Sequence, residues 1–122
     1  MALSVRYIVN DVDAAIEFYR DRLGFEVDMQ PAPGFARLNR SDLVLLLNTP
    51  GVGGAGRAGG DPRPGGWNRF QLETDDLDVL VADLQAAGVS FRGDLVEGRG
   101  GRQILVEDPS GNVVELFEAA SN

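Results

Sequence analysis

The sequence contains no histidine, no cysteine and no lysine, so all eleven basic residues are arginines. Triad-type nucleophilic catalysis needs a base beside a serine or cysteine, and Schiff-base chemistry needs a lysine amine. Both classes of mechanism are therefore excluded, and no residue is predicted to be catalytic. The lack of cysteine leaves the redox compartment open, because neither disulfides nor reduced thiols can be inferred.

Long apolar runs are also missing. The longest, Leu43 to Leu47, is far too short to cross a bilayer. The first residues do not combine a basic region with an apolar one, which argues against a secretory signal. We therefore expect a cytoplasmic protein without a membrane partner.

Positive charge is scarce, since 19 acidic residues outnumber the 11 arginines and give a net charge of −8. No basic stripe can form to neutralise phosphates, which excludes nucleic acid as a partner. The charge is uneven: residues 1–50 hold seven acids and five arginines, net −2, and residues 67–122 hold eleven acids and four arginines, net −7. A solvated surface explains this simply, and attraction of a cationic ligand is the alternative.

What the chain does contain is a repeat. The stretch Val9-Asn10-Asp11-Val12-Asp13 returns sixty-five residues later as Thr74-Asp75-Asp76-Leu77-Asp78. In both places a strand-like pattern comes before the acidic stretch and an amphipathic helix pattern after it, with Asp11 and Asp76 as N-caps. Copies of this kind usually pair to frame a shared cavity. At 122 residues the chain is long enough for one domain with a real core.

Each copy is predicted to be a β-α-β-β-β module. The predicted strands of the first copy are residues 3–9, 25–30, 35–39 and 43–48, with a helix from Asp11 to Gly24. Those of the second are residues 67–74, 91–96, 103–107 and 113–118, with a helix from Asp76 to Gly88. We place the modules at residues 3–49 and 67–119 within a single domain.

The connector, residues 50–66, has eight glycines and three prolines. This composition cannot support a helix or a sheet strand. It is either a plain linker that lets the modules separate or a mobile flap over a cavity mouth, and the two interpretations are compatible.

Three phrases of the sequence carry a family resemblance: Val5 to Tyr19, Leu23-Gly24-Phe25, and Glu107 to Leu116. They resemble the vicinal oxygen chelate superfamily, the group of glyoxalases, bleomycin-resistance proteins and extradiol dioxygenases. The resemblance implies an α+β fold of two β-α-β-β-β modules whose curved mixed sheets surround a pocket. It also implies a homodimer with pockets at the subunit boundary.

Catalytic members of that superfamily hold a divalent metal with one residue from the first and one from the last strand of each module. The resemblance carries these positions onto Ser4, Leu45, Arg69 and Glu115. Only Glu115 is a credible ligand, because leucine has no donor atom and a guanidinium repels a cation. We therefore expect no metal and no cofactor. Glu115 is expected to pair with Arg69 or Arg6, with ligand recognition or general-base catalysis as alternatives.

Strand alternation around these positions predicts the ligand-binding face. It is mostly apolar and aromatic with a few charges, which suits a flat and partly hydrophobic ligand. Trp67, the single tryptophan, either stacks on a ligand ring or packs in the dimer. The predicted ligand-binding residues are Arg6, Leu43, Leu45, Leu47, Trp67, Arg69, Gln71, Glu115 and Phe117.

The resemblance and the missing metal ligands favour a binding protein of the bleomycin-resistance kind. Such a homodimer sequesters a small molecule, here a planar aromatic or glycopeptide natural product with cytotoxic action, without altering it. One alternative is a lyase or isomerase that uses carboxylates such as Glu115. A dimeric scaffold with a vestigial pocket is the other.

Overall fold

The structure, a computed structural model, describes residues 3–121. Contacts within the chain separate two compact units, which divide after Gly65. Each unit contains a mixed sheet and a helix of at least ten residues, and the architecture is α+β. In the described part of the chain, no helix is long and apolar enough to span a membrane.

The first unit has the predicted β-α-β-β-β order. Its strands form a sheet in the order β1-β4-β3-β2, in which β1 is parallel to β4 and the other neighbours are antiparallel. The elements are β1 (Ser4–Ile8), α1 (Val12–Leu23), β2 (Glu26–Ala32), β3 (Phe35–Arg40) and β4 (Leu43–Asn48).

Helix α1 begins and ends at the predicted residues. The Asp11 carboxylate accepts a hydrogen bond from the Ala14 backbone N–H at 3.1 Å, and Gly24 takes a left-handed φ of 75° after the last turn. One face of the helix is buried, and Tyr19 packs edge-on against Phe18 and Phe25. This face supplies much of the core of the first unit.

The second unit repeats the pattern with one strand interrupted. Its sheet runs in the order β5-β9-β8-β6, with β7 also paired to β8, and β5 is parallel to β9. The elements are β5 (Phe70–Glu73), α2 (Leu77–Ala86), β6 (Ser90–Phe91), β7 (Val96–Glu97), β8 (Gly101–Glu107) and β9 (Val113–Ala119).

Several element boundaries differ from prediction, and β8 begins at Gly101 rather than at residue 103. Strand β2 continues to Ala32, beyond the predicted end at residue 30, because its pairing with β3 tolerates two register shifts. Strand β5 begins at Phe70 rather than residue 67. The strand predicted for residues 91–96 is divided, since Gly93 has a φ of 87° that breaks the extended backbone between β6 and β7.

Between β4 and β5 the described chain forms turns and bends without a helix or strand, as the glycine and proline content predicts. Both ends of this connector are held. The Val52 carbonyl accepts a hydrogen bond from the Asn48 side chain, and the Gly66 carbonyl accepts one from Arg92, each at 2.6 Å. The glycine-rich middle therefore lies between two fixed points.

Candidate functional site

A buried carboxylate with two polar partners lies on the sheet of the second unit. Glu115, on β9, is 8% exposed. Arg69 Nε donates to Glu115 Oε1 at 2.9 Å, and Gln71 Nε2 donates to Glu115 Oε2 at 2.6 Å. The predicted pairing of Glu115 with Arg69 is confirmed, and we call these three residues the Glu115 cluster.

The cluster forms because two parallel strands align its members. Gln71 lies opposite Glu115 in the β5–β9 register, and Glu73 lies opposite Phe117. Since side chains alternate along a strand, these four residues share one face of the sheet. Val114 and Leu116, on the other face, are fully buried. The predicted face of β9 is therefore present, with Glu115 and Phe117 side by side.

Trp67 lies outside the strand in which it was predicted, and it is 65% exposed. The Arg92 guanidinium stacks on its ring at 4.6 Å from the ring centroid. Arg92 is itself fixed by Glu107 Oε1 at 3.0 Å and by the Gly111 carbonyl at 3.0 Å. Sequence reasoning missed Arg92, because nothing local in the sequence pairs residue 92 with residue 67.

In the first unit the predicted face of β4 is wrong. The register sets Arg6 opposite Leu46, and Leu45 opposite Val5. Leu43, Leu45 and Leu47 therefore lie on the face opposite to that of Arg6, and Leu45 and Leu47 are fully buried. Val44, Leu46 and Asn48 occupy the face that was assigned to the three leucines.

The difference arises because the residue of β4 that corresponds to Glu115 is one place further along the strand than Leu45. The Val9 N–H donates to the Asn48 carbonyl at 2.9 Å, and the Thr74 N–H donates to the Phe117 carbonyl at 2.8 Å. Val9 and Thr74 correspond, so Asn48 corresponds to Phe117, and Leu46 rather than Leu45 corresponds to Glu115. An unbroken apolar strand such as Leu43–Leu47 gives no alternation from which to read its register.

Arg6 has a local partner in the first unit. Its Nη1 donates to Asn48 Oδ1 at 2.6 Å, and the Asn48 amide donates to the carbonyls of Thr49 and Val52. A Cβ on Gly53, where φ is 97°, would lie 2.6 Å from Arg6 Nη1. Arg6 and Asn48 therefore fix the start of the connector. The signal for Asn48 in the sequence is a polar amide that ends an apolar strand.

The residues at the family's metal positions do not fit a divalent ion. With the corrected register these positions are Ser4, Leu46, Arg69 and Glu115, and Leu46 has no donor atom. Both Glu115 oxygens already accept hydrogen bonds, one of them from a permanent cation. Among residues 3–121 no group of three or more acidic side chains is placed to hold a metal. We assign no chemistry to a metal.

A separate cavity of about 570 Å³ lies in the second unit at the end of β9. Its charged lining includes Asp75, Glu97, Arg102 and Glu118. Arg102 donates to Glu118 and to Asp78, at 3.0 and 3.1 Å. The Leu77 backbone N–H and then Arg102 hold the pKa of Glu118 below its ordinary value. This polar hollow has no aromatic lining and contains none of the predicted ligand-binding residues.

Comparison with known proteins gives a consistent family. The model of the Glyoxalase/Bleomycin resistance protein/Dioxygenase superfamily matches residues 3–116. A comparison with curated proteins gives no match. A member of the same superfamily from Sphaerobacter thermophilus is 30% identical with a TM-score of 0.78, covering 97% of this chain and 96% of that one.

Two further solved structures that are similar to this chain are named for different functions, one for an enzyme and the other for an antibiotic binding protein. Lactoylglutathione lyase from Agrobacterium tumefaciens is 26% identical, with a TM-score of 0.78 and coverage of 97% of this chain and 92% of that one. TnmS3, an antibiotic binding protein from a Streptomyces species, is 29% identical, with a TM-score of 0.75 and coverage of 98% and 96%. The mixed sheets and helices of the two units match the fold of these proteins, and the chain belongs to the Glyoxalase/Bleomycin resistance protein/Dioxygenase superfamily.

Proposed function

We propose that this protein binds a small natural product, such as an antibiotic, without a metal and releases it chemically unchanged. The observation that carries the proposal is the Glu115 cluster. A guanidinium and an amide hold the one acidic side chain at the family's metal positions, through bonds of 2.9 and 2.6 Å. Each oxygen of this carboxylate already accepts a hydrogen bond, one of them from a permanent cation, so the group suits ligand recognition better than coordination of an ion.

The surroundings of the cluster suit a flat, partly apolar ligand. Phe117 shares the face of Glu115, and Trp67 offers an exposed ring backed by Arg92. Aromatic side chains bury large area and stack on rings, whereas the few polar groups fix orientation. The similarity to TnmS3, an antibiotic binding protein, supports the same class of ligand.

An enzyme is the second candidate, and the similarity to a lactoylglutathione lyase favours it. Such an activity here would depend on carboxylate acid–base chemistry, since the sequence has no histidine. The engagement of both Glu115 oxygens makes this residue a poor general base until Arg69 or Gln71 moves away. The enzyme therefore ranks below the binding protein. A dimeric scaffold, which would not respond to ligands, ranks third.

The test is to incubate the purified protein with a panel of planar aromatic and glycopeptide antibiotics. Quenching of Trp67 fluorescence measures binding, and mass spectrometry of the recovered ligand detects conversion. We expect saturable binding, intact ligand, and no stoichiometric divalent metal by elemental analysis. Conversion of a ligand, or lactoylglutathione lyase activity restored by added zinc or nickel, would establish the enzyme instead. No response across the panel would favour the scaffold.

A homodimer and a cytoplasmic location are part of the proposal. Exposed apolar side chains at Val27, Met29, Val79 and Val96 supply surface for self-association. Light scattering after size-exclusion chromatography measures the mass of the particle in solution, where we expect twice 13.1 kDa. Fractionation of producing cells tests the location.

A further inference from the structure

Arg69 uses only part of its capacity to donate hydrogen bonds. A guanidinium has five N–H groups. Arg69 Nε donates to Glu115, and Nη1 donates to the Trp67 carbonyl at 3.3 Å. Within residues 3–121, Nη2 has no hydrogen-bond partner, and the side chain keeps 30% of its surface exposed. Three N–H groups of a fixed cation are therefore available to another molecule.

Two neighbouring arginines of the same unit behave differently. Arg92 donates from Nε, Nη1 and Nη2 to three separate acceptors. Arg102 donates from both Nη1 and Nη2 to carboxylates. All three side chains are partly buried. Exposure alone therefore does not explain why Arg69 has unused N–H groups when Arg92 and Arg102 donate from both Nη1 and Nη2.

The unused donors are also held in place. Glu115 is buried, and Gln71 occupies its second oxygen, so the carboxylate cannot rotate freely away from Arg69. Contacts at Nε and Nη1 fix the plane of the guanidinium. A donor that is positioned before the ligand arrives loses little entropy on binding. Arg69 is therefore suited to select a ligand by the acceptor atoms it carries.

The charge around Arg69 indicates which acceptors fit. Its positive charge is already balanced by Glu115, and Glu73 lies on the same face of the sheet. Residues 66–122 as a whole hold eleven acids and four arginines, net −7. An anionic ligand would meet repulsion here, whereas an uncharged carbonyl oxygen accepts hydrogen bonds without that cost.

We propose that Arg69 is a specificity-determining residue that recognises an uncharged carbonyl oxygen on an aromatic ligand. The inference rests on the proposed binding function and names the ligand class for that site. Nη2 and the second N–H of Nη1 donate to the oxygen. Phe117 lies two residues beyond Glu115 on the same face, ~6.6 Å along the strand, where it can contact the attached ring.

Three rigid tricyclic probes test the inference. Fluorene has no oxygen, 9-fluorenone adds one carbonyl, and 9-oxofluorene-4-carboxylate adds a negative charge. Equilibrium dialysis measures the affinity of each. For the wild-type protein we expect 9-fluorenone to bind at least roughly tenfold more tightly than fluorene, as hydrogen bonds from a charged donor predict. The carboxylate is expected to bind no more tightly than 9-fluorenone.

Variants assign the preference to Arg69. In Arg69→Gln, which keeps a hydrogen-bonding side chain beside Glu115, the preference for 9-fluorenone should fall to less than about twofold. Arg63→Gln is the matched control, because Arg63 forms an exposed pair with Asp61, and it should keep the full preference. Thermal denaturation checks that both variants fold, and the comparison of probes on the wild-type protein needs no variant.

The possible outcomes separate this inference from the proposed function. Equal affinity of the wild-type protein for fluorene and 9-fluorenone would overturn the role of Arg69 alone. Tightest binding of the carboxylate would overturn the uncharged class. An antibiotic from the panel whose affinity is unchanged in Arg69→Gln would also overturn the inference while supporting the binding function. No binding by any probe or panel member would overturn both.

Discussion

Each unit carries an arginine on one face of its sheet, and the two arginines have different partners. In the first unit this face also bears Leu46, and in the second unit it bears Glu115. Arg6 binds Asn48, which in turn fixes the start of the connector. Arg69 binds Glu115 and keeps donors unused. The backbone frame is the same, with an Asp N-cap and a parallel first and last strand.

The difference shows how a repeated frame acquires separate tasks. Leu46 is apolar and needs no polar partner. Glu115, at the corresponding position, is a buried carboxylate and requires a cation and a hydrogen-bond donor as partners. Arg69 supplies the cation, and its unused N–H groups can donate hydrogen bonds to a ligand. In the first unit, Arg6 and Asn48 are already engaged in holding the start of the connector. We therefore expect substitution of Asn48 to affect stability and substitution of Arg69 to affect binding.

The largest expected effect tests the corrected register. Leu45 is fully buried and Leu46 is half-buried on the opposite face. Leu45→Ala should lower the free energy of unfolding by about 2–5 kcal/mol, through lost burial and a cavity. Leu46→Ala should cost no more than about half as much. Chemical denaturation of both variants measures the difference. The reverse order would mean that Leu45, rather than Leu46, corresponds to Glu115.

Asn48→Ala should have the next largest effect. The variant removes the acceptor of Arg6 and the donor to Val52, leaving polar groups without partners, which costs about 1–3 kcal/mol. Release of the connector should also speed cleavage by trypsin after Arg57, which is exposed. Asn68→Ala, at an exposed position, is the control and should change neither quantity. Unchanged cleavage in Asn48→Ala would contradict the role of Asn48 in holding the connector.

Much of this fold can be predicted from the sequence, because the signals that bound its helices are local. Asp11 and Gly24 bound α1, and Asp76 caps α2, since capping chemistry depends on neighbours a few residues away. The Glu115–Arg69 pair was also predictable, because a buried carboxylate with few cations available has few solutions.

Features that depend on residues far apart in the chain could not be predicted from the sequence. The register of Leu43–Leu47 has no alternation to reveal it, so the wrong face was assigned. The stacking of Arg92 on Trp67 joins residues from different elements. The break at Gly93 depends on a backbone φ that glycine permits but does not require. In each case the deciding contact is set by the folded sheet.

The smallest expected effect compares the two helices and depends on pH. The first residue of α2 donates its backbone N–H to Glu118 at 2.7 Å, an attachment to β9 that adds to the Asp76 cap. This bond and Arg102 lower the pKa of Glu118, so its stabilisation is present above the pKa of the unfolded chain. It is lost as pH falls below the ordinary range of a glutamate and through the lower pKa of the folded protein. Glu118→Gln should therefore be less stable than wild type at pH 7 and closer to it at pH 3 in thermal denaturation. Glu17→Gln, at an exposed position of α1, is the control variant. Parallel curves for Glu118→Gln and wild type would mean that Glu118 does not hold α2.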